Sequence, residues 1–267
     1  MIYFTKEQIK KIFESCKLNY PKEACGILAG KVYPEAEEFL VEEVYNMQNV
    51  SEKPEICYFM DPKEQLKVLK EIRNKGFEMV GIFHSHTHTK AYPSARDCEL
   101  AFYPEVSYVI VSLENFDAPD IHSFRILNGK IKEIQVAVRK NILFVCVENS
   151  CRSQIAEGLT NSLFWRKFKA YSAGSKPSGY VNPNAIEVMK EIGIDISKNQ
   201  TKGFDKLKDI EFDYVVTLGC GDVCPFYPAK EKIDWNIEDP KGKPKEVFVK
   251  VREEIKDKLK KLYSQEV

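Results

Sequence analysis

The residues best suited to chemistry fall in two short stretches. The first runs from His84 to Asp97. Its polar fixed points are His84-Ser85-His86, then Ser94, then Asp97. It follows an apolar run, Met79-Val80-Gly81-Ile82-Phe83, which reads as a buried strand. Side chains two apart on an extended chain point the same way, so His84 and His86 share a face at the strand's end. Ser94 follows a proline and opens a short helical pattern with Asp97 in its first turn. Two imidazoles and a carboxylate can hold zinc and leave a fourth position for water, the catalytic arrangement. Plainer readings stand beside this one. An isolated His-x-His is ordinary surface, and Ser94-Ala95-Arg96-Asp97 reads equally as a capping box. The chain has four histidines, however, and His84, His86 and His88 fall within five residues.

The second stretch is Cys146-Val147-Glu148-Asn149-Ser150-Cys151-Arg152-Ser153. A short apolar strand, Ile142 to Val145, empties into it, and a helical pattern follows at once (Ile155, Ala156, Leu159, Leu163). A strand, a tight loop and a helix N-terminus present converging backbone N–H groups to an oxyanion. A cysteine near that positive end has its thiolate favoured. An arginine six residues later can grip two oxygens bidentately. As a bare pattern Cys-x5-Arg occurs by chance; at a strand-to-helix turn it is the recipe for nucleophilic attack on a tetrahedral oxyanion. Cys220 and Cys224 follow a further apolar strand, Asp213 to Leu218. No second cysteine or histidine pair accompanies them, which ranks a metal site low.

The 267 residues allow one large domain or two ordinary ones. Forty basic and forty acidic side chains cancel, which argues against a broad nucleic-acid or membrane-binding surface. No apolar run approaches the roughly 20 residues of a membrane helix. The start, Met1-Ile2-Tyr3-Phe4-Thr5-Lys6-Glu7, lacks the regions of a signal peptide. A cytoplasmic protein is expected, and its eight cysteines then read as thiols, ligands or redox centres.

The elements that must position these residues form two α/β domains, 1–138 and 139–267. In the first, helices are expected over residues 5–18 and from Asp61-Pro62 to a stop at Gly76, with Cys16 on an apolar stripe. Strands are expected at Ile27–Val32, Val41–Val44, Val106–Leu113, Ile121–Leu127 and Ile131–Val138, with Asn128-Gly129 as a hairpin turn. Arg139-Lys140-Asn141 reads as the joint between one strand and the next. The second domain alternates strand and helix, which predicts a parallel sheet with helices on both faces. Asn182-Pro183 opens a helix towards Gly193, and Lys245 to Tyr263 closes the chain.

A Glu ahead of a Cys-Gly-apolar run (Glu23-Ala24-Cys25-Gly26-Ile27), followed by the His-x-His block, resembles the JAMM (MPN-plus) metallopeptidases. The resemblance implies a mixed, cytidine-deaminase-like sheet domain with zinc on His84, His86 and Asp97. It implies Glu23 as the general base and Ser94 as a donor to the oxyanion. His-Ser-His-Thr-His-Thr followed by Ala-Tyr-Pro-Ser is most similar to the bacterial members that cut at the C-terminal glycine of ubiquitin-like sulfur carriers. His88 lies outside the basic motif and reads equally as a pocket residue or a solvated one. Ser85 belongs on the opposite strand face, Cys98 reads as structural, and Cys57 has no assignable role.

The second half resembles the low-molecular-weight tyrosine phosphatase fold, a four-stranded parallel sheet, and within it the thioredoxin-coupled arsenate reductases. Cys146 to Gln154, Tyr171-Ser172-Ala173-Gly174, Asn182-Pro183, Val215-Val216-Thr217-Leu218 and Glu238-Asp239-Pro240 carry the likeness. It implies Cys146 as nucleophile, supported by Ser153, with Asn149, Ser150, Cys151 and Arg152 around the oxyanion. Asp239 is the implied acid, and Cys220 and Cys224 the relay to a thioredoxin-type reductant. Gln154 stands where the phosphatases usually have proline, and no tyrosines follow Asp239-Pro240, both of which favour the reductase. The expectation is a two-headed enzyme, a zinc peptidase joined to an arsenate reductase. The alternatives are a tyrosine phosphatase in the second half, or one half as a non-catalytic binding module.

Overall fold

The computed structural model describes residues 1–219 and 227–266. Cys220 and Cys224 lie outside the described residues. The chain divides into two compact units, Met1–Val138 and Arg139–Val267. No helix among the described residues is long and apolar enough to cross a membrane.

Unit 1 is a mixed sheet with helices on both faces. Its strands are β1 (Ile2–Thr5), β2 (Cys25–Tyr33), β3 (Glu38–Met47), β4 (Glu78–His86), β5 (Ser107–Ser112), β6 (Asp120–Leu127) and β7 (Lys130–Ile134). They lie in the order β1-β3-β2-β4-β5-β6-β7. The β1–β3 and β4–β5 pairs are parallel and the others antiparallel. Helix α1 (Lys6–Asn19) starts at a capping box, with Thr5 and Gln8 each bonding the other's backbone N–H. Its Ile12 and Cys16 pack with Leu28, Phe83 and Val109. Helix α2 (Pro62–Asn74) is capped by Asp61, which accepts from Glu64 N–H, and its Val68 and Ile72 pack with Ile27, Ile82 and Ile110. Leu28 and Ile27 are neighbours on one strand, as are Phe83 and Ile82. Neighbouring strand residues point to opposite faces, so α1 and α2 cover opposite sides of the sheet. The Asn128-Gly129 turn forms with both residues at positive φ, 51° and 72°, as a two-residue hairpin of matching twist requires.

The joint expected at Arg139-Lys140-Asn141 falls at the division between the units, but these residues are strand and do not separate two strands. Strand β8 runs unbroken from Val136 to Cys146. Lys140 and Asn141 pair with Phe168 and Lys169, and Asn141 O accepts from Asp213 N–H at 2.9 Å. The backbone N–H of Asn141 returns to Asp213 Oδ2 at 3.0 Å, and its side chain donates to Glu211 O at 2.9 Å. Asn141 stays extended while buried because these partners take up its backbone groups and its side-chain N–H. The interruption falls earlier, between β7 and β8, where Gln135 O accepts from Ile2 N–H.

Unit 2 is a parallel sheet in the order β9-β8-β10-β11, with β9 at Phe168–Gly174, β10 at Tyr214–Thr217 and β11 at Glu231–Asp234. The helices are α4 (Arg152–Leu163), α5 (Pro183–Lys190) and α6 (Lys245–Gln265). All three join one cluster with Ile142, Phe144 and Val216. The expectation of helices on both faces is corrected. Among the described residues, the opposite face (Leu143, Val145, Val215) is covered by Leu207 of a short 3-10 turn and by Phe212.

Candidate active sites

In unit 1 the third helix, α3 (Ala95–Glu99), holds Asp97 against the end of β4. His84 Nε2 and His86 Nε2 lie 3.1 Å apart. Asp97 Oδ1 is 3.3 Å from His84 Nε2, and Asp97 Oδ2 is 3.4 Å from His86 Nε2. These three side chains are the group of potential metal ligands found among the described residues. A tetrahedral ion with ligands at about 2.0–2.1 Å separates them by about 3.3–3.4 Å, so the spacing fits. The donor set fits as well. His86 Nδ1 faces Lys90 O at 3.0 Å and therefore carries the hydrogen, which leaves the Nε2 lone pair turned to the cluster. Thr89 Oγ1 approaches the same nitrogen at 3.1 Å. Tyr58 stacks on His84 with ring centroids 4.5 Å apart.

Ser94 and Asp97 form the capping box that the plainer reading foresaw. Asp97 Oδ2 accepts from Ser94 N–H and from the Ser94 hydroxyl, both at 2.7 Å. The single hydroxyl proton is thus directed at Asp97. Glu23 is buried and lines a pocket of about 220 Å³ together with His86, His88, Ser94 and Asp97. Two of the links that hold it there run to the ligand strand. Strand β2 pairs Cys25 with His84, and Ala24 N–H donates to the buried hydroxyl of Ser85 at 2.8 Å. Ser85, on the face opposite the histidines, therefore ties the Glu23 segment to the ligand strand.

Burial pushes the Glu23 carboxyl up to about 7, with Asp97 adding to the rise and His86 opposing it. Burial also raises Asp97, but the bonds to His84 and His86 outweigh it and hold that carboxyl well below its usual range. The imidazoles diverge. Burial lowers His84. Burial lowers His86 too, but the contacts with Asp97 and Lys90 O win and raise it. An anion between two ring nitrogens is a site prepared for positive charge.

In unit 2, Cys146 ends β8 and the loop to α4 wraps beyond it. Cys146 Sγ is 3.0 Å from Ser153 Oγ. Asn149 sits in the left-handed region (φ 51°) and is fully buried. Its Nδ2 donates to Ser153 Oγ and to Ser172 Oγ, both at 2.8 Å. Its Oδ1 accepts from Lys202 N–H at 2.8 Å and Gln154 Nε2 at 3.1 Å. Gly174 lets this loop close: a Cβ there would lie 2.7 Å from Val147 O and 2.8 Å from Asn149 N. Among the described residues, none of the backbone N–H groups from Glu148 to Ser153 has a hydrogen-bond partner. Ser150 and Cys151 are buried beside them, and burial pushes the Cys151 thiol up to about 11.

Arg152 is buried, but its guanidinium turns to the far wall. Nη1 donates to the carbonyls of Leu218, Gly219 and Ile237 at 2.7, 3.1 and 3.2 Å, and Nη2 to Asp239 Oδ2 at 2.8 Å. The structure thus joins Cys146 to Ser153 and Asn149, and Arg152 to Asp239. Sequence reasoning missed Tyr58, the bond from Ser85 to Ala24, and the bracing of Asn149 by Ser172 and Lys202. Their partners lie too far along the chain for any local pattern to join them.

Residues 5–127 match the prokaryotic homologues of the JAB domain, and residues 141–267 match the low molecular weight phosphotyrosine protein phosphatases. Arsenate reductase 2 of Staphylococcus haemolyticus is 46% identical over 122 residues, covering 44% of this chain and 92% of that protein. This chain belongs, through its second unit, to the arsenate reductase family. A second such reductase, from Staphylococcus saprophyticus, is 43% identical over 129 residues, covering 47% of this chain and 97% of its own. A solved arsenate reductase in the phosphate binding state is 37% identical over 47% of this chain and 98% of its own, with a TM-score of 0.43. The two resemblances drawn from sequence, a JAMM-like domain followed by a phosphatase-fold reductase, are borne out.

Proposed function

We propose that the chain is a two-headed enzyme. Unit 1 is a zinc peptidase that cuts at the C-terminal glycine of a ubiquitin-like sulfur carrier, and unit 2 reduces arsenate with a thioredoxin-type dithiol.

The observation that supports the peptidase is the cluster of His84, His86 and Asp97 at tetrahedral spacing beside a buried Glu23. These three residues would hold the ion. Bound zinc supplies a Lewis acid and brings the pKa of a water to about 7. Glu23 takes the proton of the attacking water and delivers it to the leaving nitrogen. Its burial suits a group that must hold a proton between those two steps. Ser94 donates to the developing oxyanion by swinging its hydroxyl away from Asp97. The test is incubation with a carrier bearing one extra C-terminal residue, with the mass of the product followed. Purified protein with about one zinc per chain and a shortened carrier is the expected result. Full cleavage by metal-free protein removes this reading.

The reductase rests on the match to arsenate reductases over almost their whole length, together with the loop of free N–H groups around Cys146. Cys146 Sγ attacks arsenic, and Asp239 protonates the departing oxygen. Cys220 then attacks Cys146 Sγ. A disulfide forms, and the sulfur–arsenic electron pair stays on arsenic, which leaves as arsenite. Cys224 attacks Cys220 and frees the Cys146 thiolate, and an external dithiol reduces the Cys220–Cys224 disulfide. Arg152 grips the oxyanion once its guanidinium leaves the carbonyls of the far wall. Arsenate and an aryl phosphate tested side by side discriminate the readings. Far better phosphate hydrolysis would make unit 2 a phosphatase.

A further inference from the structure

The pocket in front of the ligand cluster holds a cation that the peptidase reading leaves idle. Arg96 is the only Lys or Arg among the described residues lining it, against the three carboxylates Glu23, Glu55 and Asp97. An arginine beside three acids would ordinarily pair with one. Arg96 forms an ion pair with none of them among the described residues. Its one side-chain hydrogen bond among the described residues runs from Nε to Cys57 Sγ at 2.9 Å, and Cys57 is a buried residue of the same pocket. Neither Nη nitrogen has a partner among the described residues. A guanidinium is a planar fork with five N–H donors that matches a carboxylate. Held at Nε, it has its plane oriented and its Nη edge left for a ligand.

We propose that Arg96 binds the free α-carboxylate of the substrate's last residue, with Cys57 as the residue that positions it. This rests on the peptidase reading and deepens it: Arg96 is the residue that reads the end of a single-residue leaving group. The dimensions support this. One extended residue spans at most about 3.3–3.6 Å, so a single-residue leaving group carries its carboxylate close to the scissile bond. The pocket, about 220 Å³, is smaller than the roughly 300–1,000 Å³ of sites that enclose a small molecule, and suits a short end more than a running chain. A longer leaving group presents a neutral amide at that point.

The test uses full-length, zinc-loaded Glu23→Gln protein, so that binding is read without turnover. Three fluorescein-labelled peptides share one sequence. The first ends in Gly-Gly-Ala with a free carboxylate, the second in the carboxamide, and the third runs on for three more alanines. Fluorescence anisotropy should show the free acid binding about 10- to 100-fold more tightly than the other two. Adding Arg96→Gln should bring the acid to the amide's affinity and leave the amide within about twofold. Arg96→Lys should restore part of the preference, and Cys57→Ala should weaken it, with zinc content unchanged in each. Acid and amide bound equally well or equally poorly, or a preference that survives Arg96→Gln, overturns the proposal. If the acid is preferred but protein with Glu23 intact cleaves none of the peptides, the carboxylate site stands and the peptidase chemistry falls. Equal cleavage of all three does the reverse.

Discussion

Asn149→Ala should loosen the reductase loop by a predictable amount. Asn149 uses its whole hydrogen-bonding capacity, two donors to Ser153 and Ser172 and two acceptor sites for Lys202 N–H and Gln154. A net hydrogen bond contributes about 0.5–1.5 kcal/mol. Gln154 Nε2 keeps a second acceptor, Gln200 O at 3.2 Å, so three lost bonds are the fair count. They amount to about 1.5–4.5 kcal/mol. Alanine in the left-handed region adds about 1–2 kcal/mol. The expected loss is therefore about 2.5–6.5 kcal/mol. Asn149→Gly loses the same bonds without the backbone strain, and should be milder by about 1 kcal/mol after glycine's extra chain entropy is allowed for. The readout is clean in the full chain, because both tryptophans, Trp165 and Trp235, are buried in unit 2. Urea unfolding followed by tryptophan fluorescence therefore reports this unit. A loss below about 1 kcal/mol for the alanine variant, or glycine no better than alanine, would refute the bracing role given to Asn149.

Three further expectations concern the chemistry. Glu23→Gln should keep its zinc, read by metal analysis, and lose about 10²- to 10⁴-fold in peptide hydrolysis; undiminished hydrolysis would strip Glu23 of its role. Cys220→Ser should abolish arsenate turnover with a dithiol reductant but spare any aryl phosphate hydrolysis, since only the relay is removed; continued arsenate turnover would point to a different second thiol. Burial pushes Cys16 and Cys25 up to about 12, so their thiolate fraction at pH 8 is about one part in ten thousand. Both should resist iodoacetamide in native protein and react once denaturant is added, and peptide mass mapping that finds them alkylated in native protein contradicts the packing described.

The parts of each site that sequence made legible are those set by local spacing. His84 and His86 share a face because a strand has period two. Asp97 falls in place because a capping box has its own fixed geometry. Glu23 is different. It reaches the cluster through the β2–β4 ladder and the Ser85 bond, across some sixty residues of chain, and no spacing rule would have found it without the family resemblance. Arg152 was legible as the sixth residue after Cys146, but the partners that hold its guanidinium, from Leu218 to Asp239, come from another part of the chain. Arg139-Lys140-Asn141 misled for a related reason. A polar triplet looks like a joint, and only the ladder to β9 with the bonds to Asp213 and Glu211 makes it strand. Cys57 and Arg96 meet across 39 positions, and neither carries a mark that predicts the other.

Both sites use one geometric opportunity in opposite electrical senses. Each sits at the carboxyl end of a strand with a parallel neighbour, β4 beside β5 and β8 between β9 and β10. Parallel strands cannot be joined by a tight turn, so the chain must leave the sheet there, and ligands of open α/β sheets gather at such ends. Backbone leaving a sheet gives up ladder bonds, and its freed polar groups need partners. After His86 the freed carbonyls are taken up inside the protein. Lys90 O orients His86, and Thr89 O accepts from Ser112 Oγ at 2.7 Å. The side-chain acceptors are then left to face one another, a site made for a cation. After Cys146 the freed N–H groups are left open while side chains such as Asn149 carry the loop, a site made for an anion. The loop after Cys146 therefore depends on Asn149 for its shape, because bonds among its own N–H groups would fill the cradle they form.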